Sequence, residues 1–434
     1  MSKFLIHLII FSCCFQLSGQ DLDKDARLGL KFIMLDNKVL DKGFTGFQLY
    51  NPTSKKTLYD LNGSKHFTPA SNVKLMTLLT AIEILGDSIP SLYYTIRNNE
   101  VIFTGTGDPS FLNPVISSKQ NAFHFLKRSN QSLTYYPSTL EDEVYGSGWA
   151  WDDFPYYFQA EKSTFPIYGN LVETYFENEQ YKLVPDVLEE ITINYEQDFP
   201  VDRLEEENAF TLNPRFSKDR SFYIHVPFEY SDSLFLVMLK DTLEKDVKMY
   251  QGVSKPYFNK TIYNAKADSV YKTLMHDSDN FIAEQLLLMC ASDKKDTFNT
   301  ALAIKYANEY IFSDLPDEMQ WVDGSGLSRY NLTSPRNLIQ VLEKILRKIS
   351  LERIKTIFAT NGQNGELKNI SSGKDAFVFA KTGSMKNKYC LSGFIETKRN
   401  GLLIFSFMHN NYIGSSEPVV LELNRILNYI RNKY

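Results

Sequence analysis

Three short strings, Ser71-Asn72-Val73-Lys74, Ser278-Asp279-Asn280 and Lys381-Thr382-Gly383, stand in this order along a chain of 434 residues. Their separation constrains the fold more than any other feature. To serve one site they must join a helix from the first fifth of the chain to a strand from the last fifth, so the stretch between must be an insertion. Ser-x-x-Lys alone carries little, because it recurs at Ser269/Lys272, Ser292/Lys295 and Ser371/Lys374. Ser-x-Asn and Lys-Thr-Gly each occur once.

Local patterning places the strings on definite elements. From Ser71 to Leu85 the chain is apolar on almost every face, through Val73, Leu75, Met76, Leu78, Leu79, Ala81, Ile82, Ile84 and Leu85. Such a helix belongs inside a domain. Pro69 sets up its start and Gly86 marks its end. Ser71 then sits where free backbone N–H groups point outward, with Lys74 one turn on and on the same face. A lysine in so apolar a helix demands a partner or a purpose.

Residues 88–266 are rich in Tyr, Phe and short alternating runs punctuated by Gly and Pro. This predicts mostly β structure without long helices. Helical patterning returns over Ala267–Met275 and Asn280–Ala291, which puts Ser278 in the turn between two helices. Strands are predicted at Phe377–Thr382, Tyr389–Thr397 and Leu402–His409, spaced for an antiparallel meander. A closing amphipathic helix carries Val419, Leu423, Ile426, Leu427 and Ile430 on one stripe. The expected organisation is one discontinuous domain, 20–87 with 267–434, interrupted by a β-rich insertion, 88–266.

Length predicts two or three domains or subdomains, and 43% hydrophobic with 23% charged residues is a globular composition. A net charge of −5 without a basic block gives no electrostatic case for nucleic acid. Lys3, the apolar run from Phe4 to Phe15 and the small polar stretch Gln16–Gln20 read as an export signal, with cleavage expected after Gly19. Export to the periplasm or a cell-wall-facing space follows. A lipoprotein variant through Cys13 or Cys14 fits its pattern poorly. Cys290 and Cys390 read as core fillers, although a bridge between them stays open. Six scattered His residues show no ligand spacing, so neither a metal nor a cofactor is called for. His66, which no Asp-His-Ser order accompanies, reads as structural.

A serine hydroxyl needs a base. Lys74 can be that base if burial and a second ammonium, Lys381, favour its neutral form. Ser71 would attack an acyl carbonyl while the backbone N–H groups of Ser71 and Ser384 hold the oxyanion. Ser278 can relay a proton to the leaving amine, and Asn280 can hold Lys74 and a substrate amide. Lys381 and Thr382 suit a substrate carboxylate. Each residue also has a bland reading: Ser278 as a helix cap, Lys381 as a solvated strand end, Gly383 as a turn.

The three strings, together with Gly105-Thr106-Gly107-Asp108-Pro109, Gly148-Trp149-Ala150-Trp151-Asp152-Asp153 and Asp323-Gly324-Ser325-Gly326-Leu327-Ser328, resemble the D-alanyl-D-alanine carboxypeptidase/endopeptidase family of low-molecular-mass penicillin-binding proteins. The resemblance covers roughly the whole mature chain, with a somewhat shorter insertion than in the largest members. It implies an α/β (α+β) transpeptidase domain of the penicillin-binding/serine β-lactamase kind with an inserted, mostly β region. It also implies an acyl-enzyme route through Ser71 and Lys74, cleavage of peptidoglycan stem peptides, and covalent inhibition by β-lactams. In the same way Ser278 and Asn280 resemble the second motif of the family, and Lys381, Thr382 and Gly383 the third. A β-lactamase or esterase on the same motifs is the enzymatic rival, and the long gap between the first two motifs counts against it. A non-catalytic wall-binding protein is the other rival, and the intact Ser71, Lys74 and Lys381 count against that.

Overall fold

The computed structural model describes residues 24–434 except 178–179, 187, 189–190, 199–200, 205–206, 217–223, 369 and 371–374. The expected export signal, 1–19, lies outside the described residues. The chain divides into two compact units, Met1–Asn72 with Leu315–Gln320 and Leu332–Tyr434, and Val73–Asp314 with Trp321–Asn331.

The first unit is built on a six-stranded sheet. Its order is Ala359–Thr360, Val378–Met385, Lys388–Thr397, Gly401–Asn410, Phe44–Asn51 and Lys56–Leu61, every neighbour antiparallel. The three expected strands form its middle, in the expected meander. Phe44–Asn51 and Lys56–Leu61 complete it from the other end of the chain. In the register, Lys381 faces Ser392, Thr382 faces Leu391, Gly383 faces Cys390 and Ser384 faces Tyr389. The closing helix, Glu417–Lys433, buries all five residues of its predicted stripe. With the helix over residues 24–35 it covers one core, in which Ala26, Leu30 and Met34 meet Leu391, Phe405 and Phe407. The helix Pro335–Lys348 lies along the strands as well, started by Ser334, whose Oγ accepts from the Asn337 N–H. Layers of this kind explain why Tyr389–Ile395 is buried at every position. A strand covered on both faces reads as one apolar run.

The second unit holds a mixed five-stranded sheet, in the order Val247–Met249, Ser132–Tyr135, Glu100–Gly105, Ser88–Arg97, Lys260–Lys266. Two three-stranded sheets accompany it. The β-rich stretch 88–266 lies inside this unit, which also takes in the helices Lys74–Ile84, Ala267–His276, Asn280–Lys295 and Thr300–Tyr310. One expectation needs correction. The stretch is not free of longer helices, because Asp232–Leu243 forms one of 12 residues. Phe235, Met238, Leu239 and Leu243 recur at helical spacing and are buried, and the Ser231 side chain caps the Leu234 N–H. Its run from Leu234 to Leu239 is apolar at every position, so no one-sided helical stripe stands out.

Candidate active site

Ser71 stands in a single 3-10 turn, Ala70–Val73, that leads into the α-helix Lys74–Ile84. The sequence placed it in the helix itself. The turn is tight: the Asn72 N–H donates to the Pro69 carbonyl at 3.2 Å. Ala70, immediately before Ser71, has φ +48°. That left-handed conformation costs a residue with a Cβ about 1–2 kcal/mol, and it persists only where the surroundings enforce it.

The strand Val378–Met385 supplies part of that enforcement. Asn72 Nδ2 donates to the Lys381 carbonyl at 2.9 Å. A Cβ at Gly383 would lie 2.4 Å from the Pro69 carbonyl oxygen and 3.0 Å from the Asn72 nitrogen. Gly383 is therefore the point where the Ser71 turn presses onto the strand, and the reading of it as a mere turn residue falls. Ser71 is half-buried, Thr382 buried and Ser384 exposed. Lys381 is fully buried, so it is no solvated strand end. Its Nζ donates to Glu366 Oε2 at 2.7 Å and to the Thr382 carbonyl at 3.0 Å.

Lys74 is the first residue of its helix and fully buried. Its Nζ donates to Asn280 Oδ1 at 2.6 Å and to the Ser325 carbonyl at 2.7 Å. Asn280 opens the helix Asn280–Lys295 and is fixed by an Nδ2 bond to the Phe158 carbonyl at 2.9 Å. The cap of that helix is Asp279, whose Oδ1 accepts from the Ile282 N–H at 2.8 Å. The cap reading of Ser278 falls with this. Ser278 instead turns the chain with φ +59° between the helices Ala267–His276 and Asn280–Lys295. Burial pushes the Asp279 carboxyl up, and the Ile282 N–H and Lys74 pull it partly back.

The sequence reading missed the support behind Lys74. In the sequence the string Asp323–Ser328 stands out only through its resemblance to the family, with no role of its own. Its Ser325 carbonyl holds Lys74, and its Gly324 carbonyl accepts from Thr77 Oγ1, three residues further along the same helix, at 2.7 Å. The loop is pinned from below by Glu284, four residues after Asn280 and so on the same helix face. Glu284 accepts from the Gly324 N–H at 3.1 Å and the Ser325 N–H at 2.8 Å. A Cβ on Gly324 would come within 2.6 Å of the Ala283 carbonyl oxygen. Asp323 draws the loop together by accepting from the N–H groups of Gly326 and Ser328, from Asn331 Nδ2 and from Trp149 Nε1. Burial, then the neighbouring Asp323 charge, pushes the Glu284 carboxyl up to about 7. The only legible signals for this arrangement were the Gly-rich string itself and a Glu inside an apolar helix.

His66 is exposed, with Nε2 2.8 Å from the Glu318 carbonyl oxygen. Cys290 and Cys390 are both buried and unbridged. No helix among the described residues is long and apolar enough to cross a membrane.

Residues 29–203 and 243–424 match the D-Ala-D-Ala carboxypeptidase 3 (S13) family. The chain is 22% identical to D-alanyl-D-alanine carboxypeptidase DacB of Haemophilus influenzae, covering 92% of each. The crystal structure of penicillin binding protein 4 (dacB) from the same organism superposes with a TM-score of 0.73 at 22% identity, over 93% of this chain and 99% of that one. A second crystal structure of that protein, complexed with a β-lactam, gives 0.68 at 20% identity, over 91% and 98%. The structural likeness carries the fold: an α/β domain with an inserted β region.

Proposed function

The chain belongs to the D-Ala-D-Ala carboxypeptidase 3 (S13) family and is a serine-type D-Ala-D-Ala carboxypeptidase, and from that premise we propose that Ser71 is its acylated nucleophile and Lys74 the base. The observation that carries this reading is the hold on Lys74, a buried amine fixed by Asn280 Oδ1 and the Ser325 carbonyl at the start of the helix that follows Ser71. Both of these acceptors are neutral oxygens.

In the proposed reaction Lys74 takes the Ser71 hydroxyl proton as Oγ attacks the carbonyl of the penultimate D-Ala. The backbone N–H groups of Ser71 and Ser384 hold the oxyanion, a contribution of about 3–4 kcal/mol for each donor in comparable sites. The C–N bond then breaks, Ser278 passes a proton to the leaving amine, and water releases the acyl group from Ser71. Asn280 orients Lys74 and the substrate amide. Lys381 and Thr382, on the strand that Gly383 brings against the Ser71 turn, take the carboxylate of the leaving D-residue. A β-lactam would acylate Ser71 in the same way, with its ring amine kept tethered.

The substrates of this reading are peptidoglycan stem peptides, met outside the cytoplasm after an export signal at 1–19 is removed. The catalytic domain would comprise 20–87 and 267–434, with 88–266 as its insertion. Release of D-alanine from a diacetyl-Lys-D-Ala-D-Ala peptide tests the proposal. Loss of that release in Ser71→Ala with an unchanged melting temperature supports it. Rapid nitrocefin turnover without D-alanine release would replace it with a β-lactamase reading.

A further inference from the structure

The seat assigned to the substrate carboxylate already faces a carboxylate of this chain. Glu366 Oε2 lies 2.7 Å from Lys381 Nζ, and Thr382 Oγ1 donates to the same oxygen. Glu366 rides on a short turn, Gly365–Leu367, anchored by buried Leu367. That turn is tied to the edge strand beside Lys381: Asn364 Oδ1 accepts from the Thr360 N–H at 2.9 Å, and the Leu367 carbonyl accepts from the Gly362 and Ile370 N–H groups. The two ends of the contact differ in one decisive respect. The Lys381 side chain is 0% exposed and the Glu366 side chain 41%. The fully buried ammonium needs an anion, whereas the half-exposed carboxylate is already partly hydrated and can turn to water once another anion takes its place. Tyr389, which faces Ser384 in the register, has its phenol pushed up by burial and then by the Glu366 charge. Glu366 therefore reaches the end of the strand where a ligand carboxylate would arrive.

We propose that Glu366 is an internal competitor for the carboxylate of the substrate: it keeps the buried Lys381 paired in the free enzyme and must leave before an anionic ligand takes the same two donors. It thereby sets how tightly the enzyme holds free carboxylates. This rests on the reading of Lys381 and Thr382 as the carboxylate seat.

The test uses the full chain with Ser71→Ala, so that no acylation occurs, with and without Glu366→Gln. Dissociation constants are measured for N-acetyl-D-Ala-D-Ala and for its C-terminal amide. The expected result is about tenfold tighter binding of the acid in the Glu366→Gln form, with amide binding unchanged. Weaker or unchanged acid binding, an equal change for acid and amide, or no acid binding by either form would each overturn the proposal. Acylation of the Ser71-containing chain by penicillin is followed in parallel. A chain that resists acylation while the acid still binds tighter in the Glu366→Gln form defeats the functional reading and leaves this inference standing.

Discussion

Two buried lysines, one in each compact unit, are held in opposite ways. Lys74 is the first residue of a helix and gives its hydrogens to an amide oxygen and a backbone carbonyl. Lys381 lies inside a sheet and gives its hydrogens to a carboxylate and the next carbonyl. A carboxylate that accepts directly from the amine stabilises its charge strongly, whereas neutral oxygens mainly orient it; Lys74 still feels the Asp279 carboxylate, whose titration it shifts. The difference matches the two tasks proposed for them, a base that must give up and recover a proton and a cation that must remain one. It also shows that lysines with the same burial can be told apart by the groups that receive their hydrogens.

The largest effect expected from breaking this comparison is on rate. Lys74→Met should slow acylation by β-lactams about 10²–10⁴-fold, the usual weight of a general base, for every acyl donor tried. It should also cost about 1–3 kcal/mol of stability, because Asn280 Oδ1 and the Ser325 carbonyl lose their donor. Lys381→Met should instead raise KM selectively for donors that carry a carboxylate. Stopped-flow acylation with a carboxylate-bearing donor and its ester separates the two. Equal effects of both substitutions on both donors would erase the distinction.

Next come the glycines at which each lysine's scaffold is pressed together. Gly383→Ala must push a methyl into the Pro69 carbonyl, and Gly324→Ala one into the Ala283 carbonyl. Each should destabilise the protein by about 1–3 kcal/mol and depress acylation, as read from melting curves and penicillin labelling. A tolerated alanine at either site would mean that the close approach is not required.

Glu284 sharpens the comparison through pH. Its carboxyl is raised from 4.5 to about 7 in the folded state, so between those values the folded protein holds the proton more tightly than the unfolded chain. Its contribution is therefore complete below about pH 4.5 and lost as pH rises through about 7. Denaturant unfolding at about pH 5 and about pH 8 should show the wild type losing more stability than Glu284→Gln across the interval. Asp108, raised in the same direction to about 6 by burial, is present in both proteins and cancels. Parallel pH profiles for the two proteins would contradict the assignment. The smallest expected effect is that of His66→Ala. It should stay within about 0.5 kcal/mol, as exposed sites do, and leave penicillin labelling intact.

Much of this arrangement was legible in the residues. The closing stripe from Val419 to Ile430, the three-strand meander and the turn holding Ser278 all follow from periodicity and punctuation, because each is a local pattern. The strand Phe44–Asn51 was not legible, since what makes it the partner of Gly401–Asn410 lies at the other end of the chain. Two contributions to the site, the Ser325 carbonyl and Glu366, escaped for other reasons. The Ser325 carbonyl is a backbone group, and the identity of its side chain says nothing of where it points. Gly383 was named by its string, and the reason it must be glycine shows only once the Pro69 carbonyl is seen against it. Glu366 is an ordinary surface acid in sequence, and only the fold brings it to Lys381.

The most direct test of the central claim is peptide mass mapping after incubation with a fluorescent penicillin. The account predicts one stable adduct, on the peptide that contains Ser71, absent from Ser71→Ala and strongly diminished in Lys74→Met. A folded wild-type protein that carries no adduct, or carries it on another serine, would contradict it.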